Sequence, residues 1–169
     1  FDQITLGEKE PGFRRKKVDE TLQQVGRLKD ELNELLYTRS SSRPVVKSPD
    51  DAYDVLRGFL EPLEQEEFWV VLLDTRNRVM TLVSLYRGNV HSSLIRIAEV
   101  FRKAIVENAP AIVVAHNHPS GDPNPSPDDI RITKEIVKAG KLLDIQILDH
   151  LVIGHDRYVS LKQRDLGFS

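Results

Sequence analysis

Two histidines stand one residue apart, His116 and His118, in the stretch AHNHPSGDPNPSPDD that runs from residue 115 to 129. In extended backbone, residues i and i+2 project to the same side, so the two imidazoles can converge on one metal ion. The segment PSGDPNPSP that follows carries four prolines and a glycine. Proline narrows the backbone freedom that ordering must remove, which suits a loop that returns the chain to one place. It returns at Ser126-Pro127-Asp128-Asp129. Ser126 is placed as an N-cap, Pro127 as the first helical residue and Asp129 three residues after the cap, close to a capping box with Asp in place of Glu. Taken alone, that pattern starts a helix and does nothing more. Combined with the histidines, it gains a second reading. Two neutral nitrogens and one carboxylate would hold a tetrahedral zinc ion and leave a fourth position open to water, the makeup of a catalytic site. Water on such an ion has a pKa near about 7. Hydrolysis also needs a carboxylate that takes the water's proton and passes it to the leaving amine. Glu64, Glu66, Glu67 and Glu99 are the upstream candidates, and spacing does not choose among them. Glu66 and Glu67 open a strand and point to opposite faces of it.

Other elements must hold this loop. SPDDAYDVLRGFLEPL, from Ser48, reads as a capped helix with Ala52, Val55, Leu56, Phe59 and Leu60 on its apolar face. EEFWVVLLDTRNRVMTLVSLYRG reads as two strands around the turn TRNR. A helix is expected over 93–109, and AIVVA (111–115) is a short apolar strand of the kind buried on both faces. A second long helix follows over 126–144, then strands at 145–154 and 157–161. Alternating strands and helices predict one α/β or α+β sheet domain over residues 45–169. Residues 1–44 form a separate arm. Within it 1–16 read as irregular, with the basic run RRKK at 14–17, and 38–47 as a linker. Residues 17–37 read as a helix whose stripe of Val18, Leu22, Val25, Leu28, Leu32 and Leu35 packs on the main domain or pairs with a second copy as a homodimer.

Composition limits the rest. Of 169 residues, 40% are hydrophobic and 30% charged, so the chain can build a globular core. A net charge of −2 and a pI of about 6.2 give no support to a non-specific nucleic-acid binder, although a local basic patch is compatible with them. There is no cysteine, which excludes disulfides, thiolate zinc sites and a cysteine nucleophile. No apolar run approaches the roughly 18 residues of a membrane span. The first residues, FDQITLGEKEPG, lack a signal-peptide core and do not begin with Met. A cytoplasmic setting is expected.

The stretch HNHPSGDPNPSPDD resembles the JAMM zinc-hydrolase signature, which is His-x-His, seven residues, Ser, two residues, Asp. Its wording AHNHPSGDPNPS is similar to the RadC branch of the JAB/MPN/JAMM superfamily. The likeness extends to EEFWVVLLDTRNRV, GNVHSSLIRIAEVFRKAI, AGKLLDIQILDHLVIG and YVSL, covering about residues 49–168. It implies a JAB/MPN fold, a mixed, curved β-sheet flanked by helices. It implies one Zn2+ held by His116, His118 and Asp129 plus water, with Ser126 as an oxyanion donor. It also implies an upstream Glu as general base. RadC relatives carry a Glu eight residues before the Asp that ends this strand. Counting back from Asp74 gives Glu66, with Glu67 the close rival and Glu99 the outsider. The implied activity is hydrolysis of a peptide or isopeptide bond, the latter in ubiquitin-like conjugates. Two departures stand out. RIAE (96–99) replaces the His-Pro-Arg-Glu common in RadC proteins, and residues 1–44 lack a helix-hairpin-helix-like region. The alternatives are a non-catalytic MPN scaffold and a DNA-associated RadC factor that uses RRKK and TRSSSRP as contacts, with steeply salt-dependent binding.

Remaining polar residues carry simpler expectations. His91 and His155 are loop or turn histidines, Asp128 faces solvent, Asn117 points away from its flanking histidines and Trp69 is core. Asp149 and His150 interrupt an apolar strand. A structural hydrogen bond is the favoured reading of the pair, and orientation of a zinc ligand is the sharper one.

Overall fold

The computed structural model describes residues 20–28, 43–88 and 95–169. Residues 20–28 are helical (α1) and exposed throughout. Then follow α2 (Pro49–Leu60), β1 (Glu67–Leu73), β2 (Val79–Arg87), α3 (Ile97–Val106), β3 (Ala111–Asn117), α4 (Pro127–Leu143), β4 (Gln146–Ile153) and β5 (Tyr158–Ser160). The five strands form one mixed sheet in the order β2-β1-β3-β4-β5. Only β3 and β4 run parallel; the β1/β2, β1/β3 and β4/β5 pairs are antiparallel. This is the expected α+β architecture of a mixed sheet flanked by helices.

Strands β1 and β3 are buried at every position, because helices cover both faces of the sheet. Alternation then sorts the side chains. Trp69, Val71 and Leu73 join Val113 and Ala115 under Ala52, Leu56 and Leu60 of α2. Phe68, Val70 and Leu72 join Ile112 and Val114 against Val100 and Phe101 of α3 and Ile132 and Ile136 of α4. His116 follows the second set, because it pairs with Phe68 and continues the run of Ile112 and Val114. Asn117 follows the first.

One irregularity matters for the site. Ile112 pairs with Ile147, but Val113 pairs with Asp149, so Leu148 is an extra residue bulged out of β4. A one-residue slip reverses which face each later side chain takes. After the bulge His150 lies opposite Val114, on the α3/α4 side, and Asp149 lies opposite Val113, on the α2 side.

Three boundaries differ from the sequence expectations. Strand β3 extends two residues further, through His116 and Asn117, because both pair with β4. Helix α3 begins at Ile97, since the Arg96 backbone is extended and its N–H is taken by the Tyr86 hydroxyl at 3.0 Å. The end of the supposed linker is part of the domain. Val45 bridges to Arg78, the Val46 and Val79 amides bond to Asn77 and Pro44, and Val46 is buried. Leu22, Val25 and Leu28 of α1 are exposed rather than docked. The remainder of the 17–37 stripe, the RRKK run and His91 lie outside the described residues. Among the described residues, no helix is long and apolar enough to cross a membrane.

Candidate metal centre

The sheet and α4 bring His116, His118 and Asp129 to one point. His116 is the penultimate residue of β3 and buried, with its ring stacked on Phe68 (centroids 6.2 Å apart, planes at 11°). His118 lies just beyond the strand. Its backbone N–H donates to the Ile153 carbonyl at 2.8 Å, and its Nδ1 donates to the Asp122 carbonyl at 2.8 Å. The loop between is turned back by a hydrogen bond from the Gly121 amide to the His118 carbonyl, with Gly121 at a φ of 82°. Gly154, in the β4–β5 turn, locks this loop in place. A Cβ there would meet the Gly121 oxygen at 2.3 Å and Pro123 Cδ at 2.9 Å, so the close approach requires glycine. His155 sits over Gly121, and its amide donates to the Gly121 carbonyl at 3.2 Å.

Asp129 arrives through the start of α4, which is the capping box the sequence predicts. The Asp129 amide donates to Ser126 Oγ at 3.1 Å, while the Ser126 amide and hydroxyl both donate to Asp129 Oδ2 at 2.7 Å. Ser126 therefore aims the carboxylate at the histidines, and in this arrangement its hydroxyl is engaged with Asp129.

The donor atoms of the three residues cluster tightly. His116 Nε2 and His118 Nε2 are 3.1 Å apart, Asp129 Oδ1 is 3.3 Å from His116 Nε2, and Asp129 Oδ2 is 3.7 Å from His118 Nε2. Corners of a tetrahedron around zinc, with bonds of about 2.0–2.1 Å, are about 3.4 Å apart. The spacing and the N,N,O chemistry of this donor set fit a zinc ion with one position left open. Burial opposes charge on Asp129, yet its contacts with His116 and His118 and the bond from Ser126 prevail and hold its carboxyl well below the usual carboxylate range. The bond to Asp129 raises the pKa of His118 against the opposing effect of burial.

Of the four glutamates, Glu66 is the one brought to the histidines, with its carboxylate and both histidine nitrogens within 4.8 Å of one another. Asn117 sets this position. Pointing away from the histidines that flank it, it accepts the Glu67 amide on Oδ1 at 2.7 Å and donates from Nδ2 to the Gln65 carbonyl at 3.1 Å. It thus clamps the backbone on either side of Glu66. Glu67 is buried on the opposite face, where it accepts from Trp69 Nε1 at 2.8 Å and Ser84 Oγ at 2.9 Å and pairs with Arg87. Glu99 is bonded to the Tyr86 hydroxyl and to Arg96, and Glu64 is exposed.

The pair Asp149 and His150 divides across the sheet. Asp149 anchors the end of the domain, accepting from Ser160 Oγ at 2.7 Å and from the His150 and Lys162 amides. Burial still pushes its carboxyl up. His150 goes to the site instead, with Nε2 at 3.0 Å from His116 Nδ1 and Nδ1 at 2.6 Å from Thr133 Oγ1. Burial, and then the nearby His116, push its pKa well down, so it stays neutral. Both residues make the buried hydrogen bonds of the favoured reading, and those of His150 also reach His116, as the sharper reading expects. Thr133 gave no sequence signal beyond its place four residues after Asp129, on the same face of α4.

A family model described as RadC-like JAB domain matches residues 46–166. A UPF0758 protein of Roseiflexus sp. (strain RS-1) is 46% identical over 134 residues, 79% of this chain and 58% of that protein. Another, of Chloroflexus aurantiacus (strain ATCC 29366 / DSM 635 / J-10-fl), is 49% identical over 123 residues, 73% of this chain and 54% of that protein. A third, of Clostridium perfringens (strain 13 / Type A), is 41% identical over 121 residues, 72% of this chain and 53% of that protein. The chain therefore spans little more than half the length of these relatives. The matched segment contains every residue of the cluster, and the chain belongs to the RadC-like JAB domain family.

Proposed function

We propose that this chain is a zinc-dependent hydrolase of the JAMM type, a metallopeptidase or isopeptidase acting on a peptide or a ubiquitin-like protein conjugate. One observation carries the reading. The two histidine Nε2 atoms stand 3.1 Å apart, each has an Asp129 carboxylate oxygen at 3.3 or 3.7 Å, and the Glu66 carboxylate lies beside them. A zinc ion bound there would supply Lewis acidity that makes water nucleophilic at neutral pH. Glu66 takes a proton from the attacking water and returns it to the departing amine. Asn117 keeps Glu66 in place for both transfers. Ser126 first orients Asp129. To stabilise an oxyanion, its hydroxyl must turn from Asp129 to the substrate, leaving the Ser126 amide to hold Oδ2. A cytoplasmic setting, and pairing of the 17–37 stripe with a second copy, belong to the same proposal.

The test is zinc per chain by elemental analysis, together with hydrolysis of an isopeptide-linked ubiquitin-like substrate, in wild type, His118→Ala and Glu66→Gln. Wild type should hold about one zinc, and His118→Ala should hold none and cleave nothing. Glu66→Gln should keep the metal and lose about 10²- to 10⁴-fold in rate. Cleavage that persists in metal-free protein would overturn the proposal.

A further inference from the structure

We infer that Thr133 and His150 form a hydrogen-bond relay that fixes the tautomer of His116, and that both are positioning residues of the centre. The inference rests on the zinc reading above for its purpose, but its geometry stands independently.

Each step of the relay follows from counting hydrogens. The Asp129 carbonyl can only accept, and Thr133 Oγ1 lies 2.6 Å from it, so the single hydroxyl hydrogen goes there. The same oxygen lies 2.6 Å from His150 Nδ1. With its hydrogen used, Thr133 must accept, so His150 carries its proton on Nδ1. A neutral imidazole protonated there has its lone pair on Nε2. That atom is 3.0 Å from His116 Nδ1, so His116 must donate. When His116 is neutral its lone pair is then on Nε2, the atom that faces His118 and Asp129. The relay begins on the backbone of one ligand, Asp129, and ends on another, His116.

Thr133 and His150 are both fully buried, and the edge of Phe68 meets His150 with ring centroids 5.7 Å apart. The bulge at Leu148 is what brings His150 to this face of the sheet. His118 is set differently, by the Asp122 backbone carbonyl, so substitution of a side chain tests the His116 relay alone. Groups that hold the far nitrogen of a metal-binding histidine are usually carboxylates, carbonyls or water. Here the holder is a neutral imidazole, so it contributes direction and tautomer rather than charge.

The test compares wild type, Thr133→Ser and Thr133→Val. Tautomers of His116 are read by long-range 1H–15N correlation on metal-free protein at mildly alkaline pH, and zinc affinity by competition with a chelating dye. Wild type and Thr133→Ser, which keeps the hydroxyl, should show His116 protonated on Nδ1 and bind zinc equally. Thr133→Val should mix the two tautomers and bind zinc on the order of 10- to 100-fold more weakly. Wild-type His116 protonated on Nε2 would overturn the relay, and this measurement needs no variant to fold. Unchanged tautomer and affinity in a folded Thr133→Val would overturn it too, while leaving the zinc reading intact. The expected tautomers in a wild type that binds no zinc would support the relay and remove the zinc reading.

Discussion

The tetrapeptide Ser-Pro-Asp-Asp occurs twice in this chain, at 48–51 and at 126–129, and both copies start a helix with a capping box. Their local geometry is nearly the same. The first serine amide and hydroxyl donate to Asp51 Oδ2 at 2.9 and 3.0 Å, and the second pair donates to Asp129 Oδ2 at 2.7 Å. The return bond from the aspartate amide is 3.2 Å in α2 and 3.1 Å in α4. What differs lies beyond the helix. Asp51 Oδ2 also accepts from the Lys47 amide, at 2.8 Å. Asp129 Oδ1 meets His116, and its Oδ2 faces His118. The same four residues therefore make a cap in both places. The second becomes a candidate ligand set only because β3 presents two histidines opposite it.

The largest effect should come from neutralising the two aspartates in turn. Asp129→Asn should abolish stoichiometric zinc, taking it from about one per chain to none, because a poorer ligand replaces the carboxylate in a three-residue set. Asp51→Asn should leave zinc unchanged, although it weakens an equivalent helix start. Elemental analysis of both folded variants checks this. Equal zinc in the two would mean that the histidines hold the metal without the Asp129 carboxylate.

This contrast also marks which features are local enough to be legible in the sequence. The caps were legible because they are local: serine, proline and aspartate spacing specifies them wherever they occur. The strands were legible because VVLL and AIVVA are apolar without interruption. His116, His118 and Asp129 could be named together because their spacing matches the JAMM signature, and Glu66 because the resemblance to RadC proteins implies a Glu eight residues before Asp74. His150 could not be assigned in this way. Its side depends on the bulge at Leu148, and no residue near it marks a bulge as glycine or proline would. Asn117 was correctly expected to point away from the histidines, but the backbone it clamps lies about 50 residues earlier in the chain. Glu66 and Glu67 alternate by strand geometry. Which of them faces the histidines is decided by pairing with β3 and by the bonds of Trp69, Ser84 and Arg87 to Glu67.

A smaller effect separates the two serines. Removing an N-cap hydroxyl typically costs about 1 kcal/mol, so Ser48→Ala and Ser126→Ala should destabilise the metal-free protein by similar amounts in urea denaturation. Zinc affinity should divide them. Ser126→Ala loses one of two donors that aim Asp129 Oδ2 and should bind zinc several-fold more weakly, whereas Ser48→Ala should match wild type. Loss of affinity in both would trace the effect to global stability rather than to the aim of Asp129.

The smallest difference should appear in acid, in metal-free protein. Bonds from the Lys47 amide and from Ser48 lower the pKa of Asp51. That of Asp129 is lowered further, since His116, His118 and Ser126 overcome its burial. A carboxyl depressed in the folded state contributes stability that is present above its unfolded value of about 3.9 and is lost as pH falls through the folded value. The two losses therefore begin together, near about pH 4–5, but that of Asp129 continues to lower pH. Asp129→Asn should flatten the fall of melting temperature between about pH 5 and 2 more than Asp51→Asn does. Equal flattening would mean that the histidines add nothing to the charge on Asp129. The two copies of Ser-Pro-Asp-Asp would then differ only in where they sit, and the electrostatic half of the contrast between them would fail.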